Sequence, residues 1–226
     1  MNQLSQKKSS LATLISVFFF WGFVAASNTV LIGVFKNNFS LSQFQSQLVD
    51  LAFYIAYFAG SLIYFLVSVV YGDPLNKIGY KKGLVIGLIL SACGALLFIP
   101  ATSIQSFSFF LSALFVVGLG FCLLQIVANP FVIALGNPAT GSHRINLAGS
   151  INSLGTTIGP LVMGFAIFGN IHTTGAANAG IDTLKMPYVI LAAVFLLYAL
   201  FLSFSNLPTI TNTEKLEKSL GALKYP

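Results

Sequence analysis

Six apolar stretches in this sequence are each long enough to cross a lipid bilayer as a helix. About 20 helical residues span the roughly 30 Å hydrocarbon layer. Each stretch is continuously apolar, whereas the strands of a membrane barrel alternate over about ten residues, so helices are favoured. The sequence predicts an all-α membrane protein with six transmembrane helices: Ala12–Phe35, Val49–Val70, Gly83–Ala101, Phe107–Leu135, Ile145–Gly169 and Met186–Ser205.

The composition excludes a soluble globular protein, since 56% of the residues are hydrophobic and 7% are charged. The spans divide the chain into an N-terminal segment (1–11), a six-helix transmembrane domain (12–206) and a C-terminal tail (207–226). An even number of spans places both termini on the same side of the membrane. The chain stops soon after the sixth span, which we interpret as an unfinished ending.

Charge decides the orientation. With the N-terminus in the cytoplasm, only Lys36 and Lys185 of the 11 basic residues lie outside, as the positive-inside rule requires. The prediction is a multi-pass protein of the cell inner (plasma) membrane with cytoplasmic N- and C-termini. This topology also explains the net charge of +6, so no nucleic-acid partner is expected. The cytoplasmic cations are Lys7, Lys8, Lys77, Lys81, Lys82, Arg144, Lys215, Lys218 and Lys224.

The sequence gives no support to an enzyme. The carboxylates and histidines lie at span ends, in loops or in the tail, with no nucleophile–base set, metal-ligand cluster or phosphate-binding loop. The two cysteines, Cys93 and Cys122, lie inside spans, where a thiol behaves as a small apolar group. We predict no catalytic residue, no metal and no cofactor.

Uncharged polar side chains inside the spans are the candidate functional groups. An amide in hydrocarbon is costly unless paired, so it must face another helix or a wet cavity. Gln125 and Asn129 are four residues apart and share a helical face, and Asn152 is at a comparable depth in the fifth span. Neutral amides with nearby aromatic rings suit a hydroxyl-rich ligand such as a sugar. The candidate contacts are Asn28, Thr29, Gln125, Asn129 and Asn152.

Two structural alternatives stand beside this hypothesis. The amides are also explained as hydrogen bonds between packed helices. Small residues from Gly149 to Gly164 predict close helix packing, or else flexible points of the kind found in transporters. Pro130 predicts that the fourth span kinks there or that its regular helix ends there. Such a kink would shape helix packing alone, or it would shape the candidate site as well.

The loop between spans two and three, from Gly72 to Lys82, is a tight basic turn. It resembles the signature loop of the major facilitator superfamily, where Gly72, Lys77, Gly79 and Lys81 fit the pattern and Asp73 is a further candidate for the loop's gating role. Asn76 stands where that signature has an acid, and Tyr80 where it has a base.

Spans four and five resemble one branch of that superfamily more specifically, the fucose and glucose/galactose permeases. The residues that carry the resemblance are Ala128–Phe131, Leu135–Gly136, Arg144–Leu147, Asn152–Pro160 and Met186–Tyr188. The family implies cation-coupled sugar transport by two six-helix halves, each with a three-plus-three inverted repeat. This chain resembles the N-terminal half only.

Two positions depart from the family. Thr29 stands where the family has an acid implicated in proton coupling, and Gly149 stands where it has a sugar-contacting glutamine. The leading hypothesis is therefore transport of a neutral monosaccharide of the fucose, glucose or galactose class, with proton coupling lost or supplied elsewhere. A homodimer or a separately encoded second half would complete the path. The alternative is a truncated, transport-inactive remnant or an interaction partner of a sugar permease.

Overall fold

The computed structural model describes residues 3–169 and 179–208, with side chains from Ser10 onward. Within these residues the protein is all-α, with no strand, and six spans are long and apolar enough to cross a membrane. The predicted fold class is thus confirmed. The helices are α1 (Gln3–Asn38), α2 (Gln43–Tyr71), α3 (Pro74–Ile78), α4 (Tyr80–Leu96), α5 (Phe98–Ile104), α6 (Phe107–Ala134), α7 (Gly141–Phe168) and α8 (Lys185–Phe204).

The third span is two helices, where the sequence predicts one continuous helix. It breaks at Leu97, between α4 and α5. Pro100 has no N–H to donate to the carbonyl four residues earlier, so the regular ladder is interrupted there. By contrast, α6 continues through Pro130 to Ala134, so this proline does not end the fourth span.

Helix boundaries extend the predicted spans at several points. Helix α1 begins at Gln3, so most of the predicted N-terminal segment is helical. Helix α2 begins after Ser42, whose hydroxyl accepts from the Gln45 backbone while the Gln45 side chain accepts from the Ser42 backbone. This reciprocal cap explains the sharp start of the second span. Of the predicted tail, only Leu207 and Pro208 lie among the described residues.

The helices pack as two interlocked units of three spans. Helix α1 packs along α7, and α2 packs along α6, so the first helix of each unit lies on the middle helix of the other. The third spans, α4 and α8, pack on each other. This exchange is the pairing expected of an internal three-plus-three repeat.

Helix α1 begins and α8 ends at the same end of the bundle, which we call the terminal side. The Ser16 hydroxyl is hydrogen-bonded to the Tyr198 hydroxyl at 2.5 Å, which ties the two helices together. At the same end, the Lys81 ammonium donates to the carbonyls of Ser203 and Ser205 at 2.7 and 2.8 Å. A cation at the C-terminal end of α8 is favourable because unpaired carbonyls collect there.

Candidate functional site

The α1–α7 interface is closed by glycines. A Cβ atom at Gly155 would lie 2.2 Å from the Phe19 carbonyl oxygen, and one at Gly159 would lie 2.3 Å from that of Phe23. From the other side, a Cβ at Gly22 would lie 2.1 Å from the main-chain carbonyl oxygen of Asn152. No other residue fits at these separations, so the two backbones are in direct contact.

Asn152 lies in this interface. Its Nδ2 donates a 3.1 Å hydrogen bond to the Phe18 carbonyl oxygen. The bond joins α7 to α1, which is the helix-packing role that the sequence left open for the amides. The side-chain oxygen accepts no hydrogen bond from a described residue and remains available to a ligand.

Gln125 lies on α6. It approaches Phe18 from a different side than Asn152 does. Its half-buried side chain borders a cavity of about 10 Å³, which is room for about one water. The carboxamide makes no hydrogen bond to a described residue, and none joins it to Asn152. Gln125 and Asn152 therefore flank the same turn of α1 without meeting. The cavity is lined by Val17, Phe18, Trp21, Leu124, Gln125 and Ala128.

Asn129 follows Gln125 by one turn of the uninterrupted α6 helix. It is also half-buried, and its carboxamide has no hydrogen-bond partner among the described residues. The two amides thus share a face, as their spacing predicts. The buried Tyr57 hydroxyl makes no regular hydrogen bond to a described residue. The side chain of Trp21, which lines the cavity beside Gln125, lies close to this hydroxyl.

Asn28 and Thr29 point in different directions. Asn28 is 1% exposed, and neither atom of its carboxamide has a partner among the described residues. Thr29 is exposed, and its hydroxyl donates to the Ala26 carbonyl at 2.8 Å. The structure therefore places Thr29 on the surface of the six-helix bundle and Asn28 inside it.

Helix α7 carries an exposed polar face that the sequence analysis assigned to packing. Gly155 and Gly159 are buried against α1, but the residues on the opposite face are exposed, and no atom lies within 4 Å of a Cβ added at Gly149. The serine and threonine hydroxyls donate to their own helix backbone. Their spacing along one helical face is a signal that the sequence already contained. The exposed polar residues are Asn146, Ser150, Ser153, Thr156 and Thr157.

The loop motif folds around Asp73. Its carboxylate caps α3 by accepting from the Leu75 backbone at 2.9 Å, and it also accepts from the Tyr64 hydroxyl. Gly72 and Gly79 bound this short helix with φ of 80° and 82°, a conformation that favours glycine. Lys81 is occupied by the end of α8, whereas Lys77 is exposed.

Asn76 lies at the position of the signature acid. Its Oδ1 atom is buried and accepts no hydrogen bond from a described residue. Asp73 caps α3, and its part in the loop's gating role stays a prediction. The loop therefore keeps the fold of a tight turn with an unused acceptor at its centre.

The sequence analysis assigned Arg144 to the charge pattern and to the family resemblance, and the structure gives it a further role. Its Nε donates to the Val132 carbonyl at 2.9 Å, and its Nη1 to the Thr140 hydroxyl at 2.7 Å. The guanidinium also donates to the carbonyl of Ile133, so it satisfies the last carbonyls of α6. A Cβ at Gly136 would lie 2.7 Å from Nη1, so a larger residue there would displace the guanidinium from this position.

A bundle of two interlocked three-span units, with uncharged amides in its spans, is the arrangement of one half of a facilitator-type transporter. A family model for the Major Facilitator Superfamily matches residues 11–224. The chain belongs to the Major Facilitator Superfamily. Its predicted resemblance to the fucose and glucose/galactose permeases is confirmed by relatives and by solved structures.

Among relatives, the chain is 39% identical over 205 residues to a glucose/galactose transporter of Brucella abortus. The aligned region covers 91% of this chain and 48% of the relative. It is 31% identical over 225 residues to the L-fucose-proton symporter of Escherichia coli, with 93% and 50% covered. The chain spans about half the length of the curated relatives that it matches.

The solved structures show the same relationship. A crystal structure of FucP, a Major Facilitator Superfamily transporter, in the outward conformation matches with a TM-score of 0.75 at 30% identity, over 97% of this chain and 56% of that chain. A variant of the Escherichia coli fucose:proton symporter gives a TM-score of 0.70 over 94% and 53%. The fold is that of the N-terminal half of these facilitator transporters.

Proposed function

We propose that this chain is one six-helix half of a permease that carries a neutral monosaccharide of the fucose, glucose or galactose class. The observation that carries the proposal is the face of α6 on which Gln125 and Asn129 hold unpaired, half-buried carboxamides within an apolar span. Unpaired amides in a membrane span are costly unless they meet water or a polar ligand. The names of the relatives support a sugar as that ligand.

The sugar contacts in this proposal are Gln125 and Asn129 with the free oxygen of Asn152. Thr29 contributes a hydroxyl at the exposed surface of α1. Asn28 is the weakest member, since its carboxamide is enclosed by the bundle. In this proposal it supports α1 and does not contact the sugar directly. Amides and hydroxyls both donate and accept, which matches the hydroxyl groups of a sugar.

A second six-helix unit is needed to enclose the ligand. Pockets for small molecules usually measure about 300–1,000 Å³, whereas the cavity beside Gln125 holds about one water. The exposed polar face of α7 gives this second unit a surface, because serine, threonine and asparagine side chains are poorly placed against lipid tails. The partner is a second copy of this chain or a separately encoded half.

The proposed transport does not depend on a proton bound in α1, because Thr29 replaces the acid of the family. Of the described carboxylates only Asp50 lies within a span, on the second turn or so of α2. Flux is therefore facilitated, or coupled through the second unit. We place the protein in the cell inner membrane, with the terminal side, the segments 1–11 and 207–226 and the Gly72–Lys81 loop in the cytoplasm.

The test is uptake of labelled fucose, glucose and galactose into proteoliposomes that contain the chain with its second half, or the chain alone as a dimer. Gln125→Ala and Asn129→Ala should each lower uptake severalfold. Ser112→Ala on the same helix is the matched control, since its hydroxyl is exposed and bonds only to its own helix. Equal uptake by all three variants would contradict the proposed site.

A second candidate function is supported by positions that offer a ligand little. Asn152 is tied to Phe18, Asn28 is buried within the bundle, and Gly149 presents no side chain. These features fit a transport-inactive remnant or an interaction partner of a sugar permease. A folded chain that binds no sugar alone, as a dimer or with a permease half would favour this second candidate.

A further inference from the structure

A deep apolar groove lies on the outside of the bundle, between α1, α7 and α8. Its volume is about 310 Å³, and all its lining side chains are apolar. Three phenylalanines of α1 form its floor, and apolar residues of α7 and α8 form its walls. The residues that define this groove include Phe20, Phe23, Val162, Met163, Ile190 and Leu191.

The groove exists because α7 and α8 have little contact with each other. Helix α7 packs closely on α1, whereas α8 reaches α1 through long side chains such as Phe195 and Tyr198, which contact Phe20. Towards the terminal side, Tyr198 closes the gap by donating to the Thr13 carbonyl at 2.7 Å and by packing on Phe20. At the opposite end of the bundle, Asn38 donates to the Ala179 carbonyl at 2.7 Å. Between these polar ties the groove is open to one side and apolar throughout.

The chemistry of the groove selects its occupant. Water does not fill a wall without polar partners. Because the spans lie in a bilayer, lipid tails reach a groove on the outside of the bundle. A lipid acyl chain is apolar along its whole length, which matches a wall without polar groups.

The position of a cation selects the headgroup. Lys185 begins α8, two residues before Pro187, which lines the groove. The Lys185 side chain is exposed and forms no ion pair with a described residue, including Asp182 one turn earlier. A lysine at a span end extends its ammonium to the interface, where lipid phosphates lie.

We propose that this groove binds one acyl chain of an anionic phospholipid whose headgroup contacts Lys185. The lipid belongs to the leaflet opposite the terminal side, since the groove is lined by the beginning of α8 and the end of α7. A bound chain fills the gap between α7 and α8 and makes the contacts that these two helices do not make with each other. This inference depends on the membrane fold and not on the proposed transport.

The test is native mass spectrometry of the full chain, released from nanodiscs that contain phosphatidylglycerol and phosphatidylcholine. The unaltered protein should retain a single phosphatidylglycerol. Ala166→Phe and Val162→Phe place a ring in the groove from an exposed wall position and should lower retention of both lipids about tenfold, because the ring takes the space of several methylenes. Leu197→Phe, on the lipid-facing side of α8 and outside the groove, is the matched control and should change nothing.

The headgroup is tested separately. Lys185→Gln should lower the preference for phosphatidylglycerol about fivefold and leave total lipid retention in place. Lys77→Gln, an exposed cation at the other end of the bundle, is the charge control. The proposal fails if both groove variants retain lipid as Leu197→Phe does, or if the unaltered protein retains both lipids equally. It also fails if Ala166→Phe instead abolishes a dimer, because the groove would then hold a second copy.

Discussion

Asn152 and Phe18 are joined by a 3.1 Å hydrogen bond from a carboxamide on α7 to a main-chain carbonyl oxygen on α1. The bond lies where glycines bring the two helices into backbone contact, and beside the cavity that Gln125 borders. One polar residue thus helps to fix the helix pair against which the proposed sugar contacts are arranged. Stability and binding can therefore be separated by mutation.

Replacing Gln125 and Asn152 should have different effects. Asn152→Ala removes an interhelical hydrogen bond and should lower the unfolding free energy by about 0.6 kcal/mol, the mean value for such bonds in membranes. Gln125→Ala breaks no bond to a described residue, so stability should stay within about 0.5 kcal/mol. If Gln125 binds sugar, its loss should raise the sugar Kd by about three- to tenfold. Thermal unfolding and equilibrium binding of the assembled complex measure the two effects, and an unstable Gln125→Ala protein would contradict this assignment.

The α1–α7 interface predicts that Gly155→Ala is destabilising. The added methyl would overlap the Phe19 carbonyl oxygen, and forcing a group into a packed interface costs about 1–3 kcal/mol. Gly149→Ala is the matched control, since it lies on the same helix with open space around it. A lower Tm in detergent for the first variant alone is the expected result, and equal melting would argue against backbone contact.

Restoring the family acid at Thr29 should restore proton dependence. Thr29→Asp adds a carboxylate at an exposed position, so the bundle should fold with little loss of stability. Asn28→Asp, one residue earlier, buries the same group and should destabilise the protein severely. We expect an uncoupler to lower sugar uptake by the Thr29→Asp complex more than it lowers uptake by the unaltered complex. Identical uncoupler sensitivity would show that coupling does not depend on this position.

Arg144 should control the order of the α6–α7 connection. Arg144→Ala leaves the carbonyls of Val132 and Ile133 without their charged donor, at a cost of about 1.5–3 kcal/mol. Hydrogen exchange across residues 133–140 should accelerate in this variant. His143→Ala, at an exposed neighbouring position, should leave exchange unchanged. Unaltered exchange in Arg144→Ala would mean that water replaces the guanidinium without loss.

The spans were predictable because hydropathy averages over about 20 residues, and burial in lipid depends on the same average. A single-residue break is invisible to that average, so the interruption at Leu97 was missed although Pro100 is a local signal for it. The inward and outward faces were harder to predict. Asn28 and Thr29 are adjacent polar residues, and only the packing of α1 determines which of them is enclosed.

The geometry of the candidate amides was predictable in part, for a related reason. The shared face of Gln125 and Asn129 follows from helical spacing alone, whereas the position of Asn152 depends on how closely α7 approaches α1. That approach depends on Gly155 and Gly159, which the sequence analysis grouped with exposed neighbours such as Gly149. A helical face must be assigned before small residues are counted as packing residues.

The glycine contacts between α1 and α7 have a mechanical consequence. A slide of one residue, about 1.5 Å along the axis, would carry a bulkier neighbour into a place that only hydrogen atoms occupy. These two helices therefore cannot slide along each other. Any rocking that exposes the proposed sugar contacts to one side and then the other has to move α1 and α7 together, and its hinge lies outside this pair.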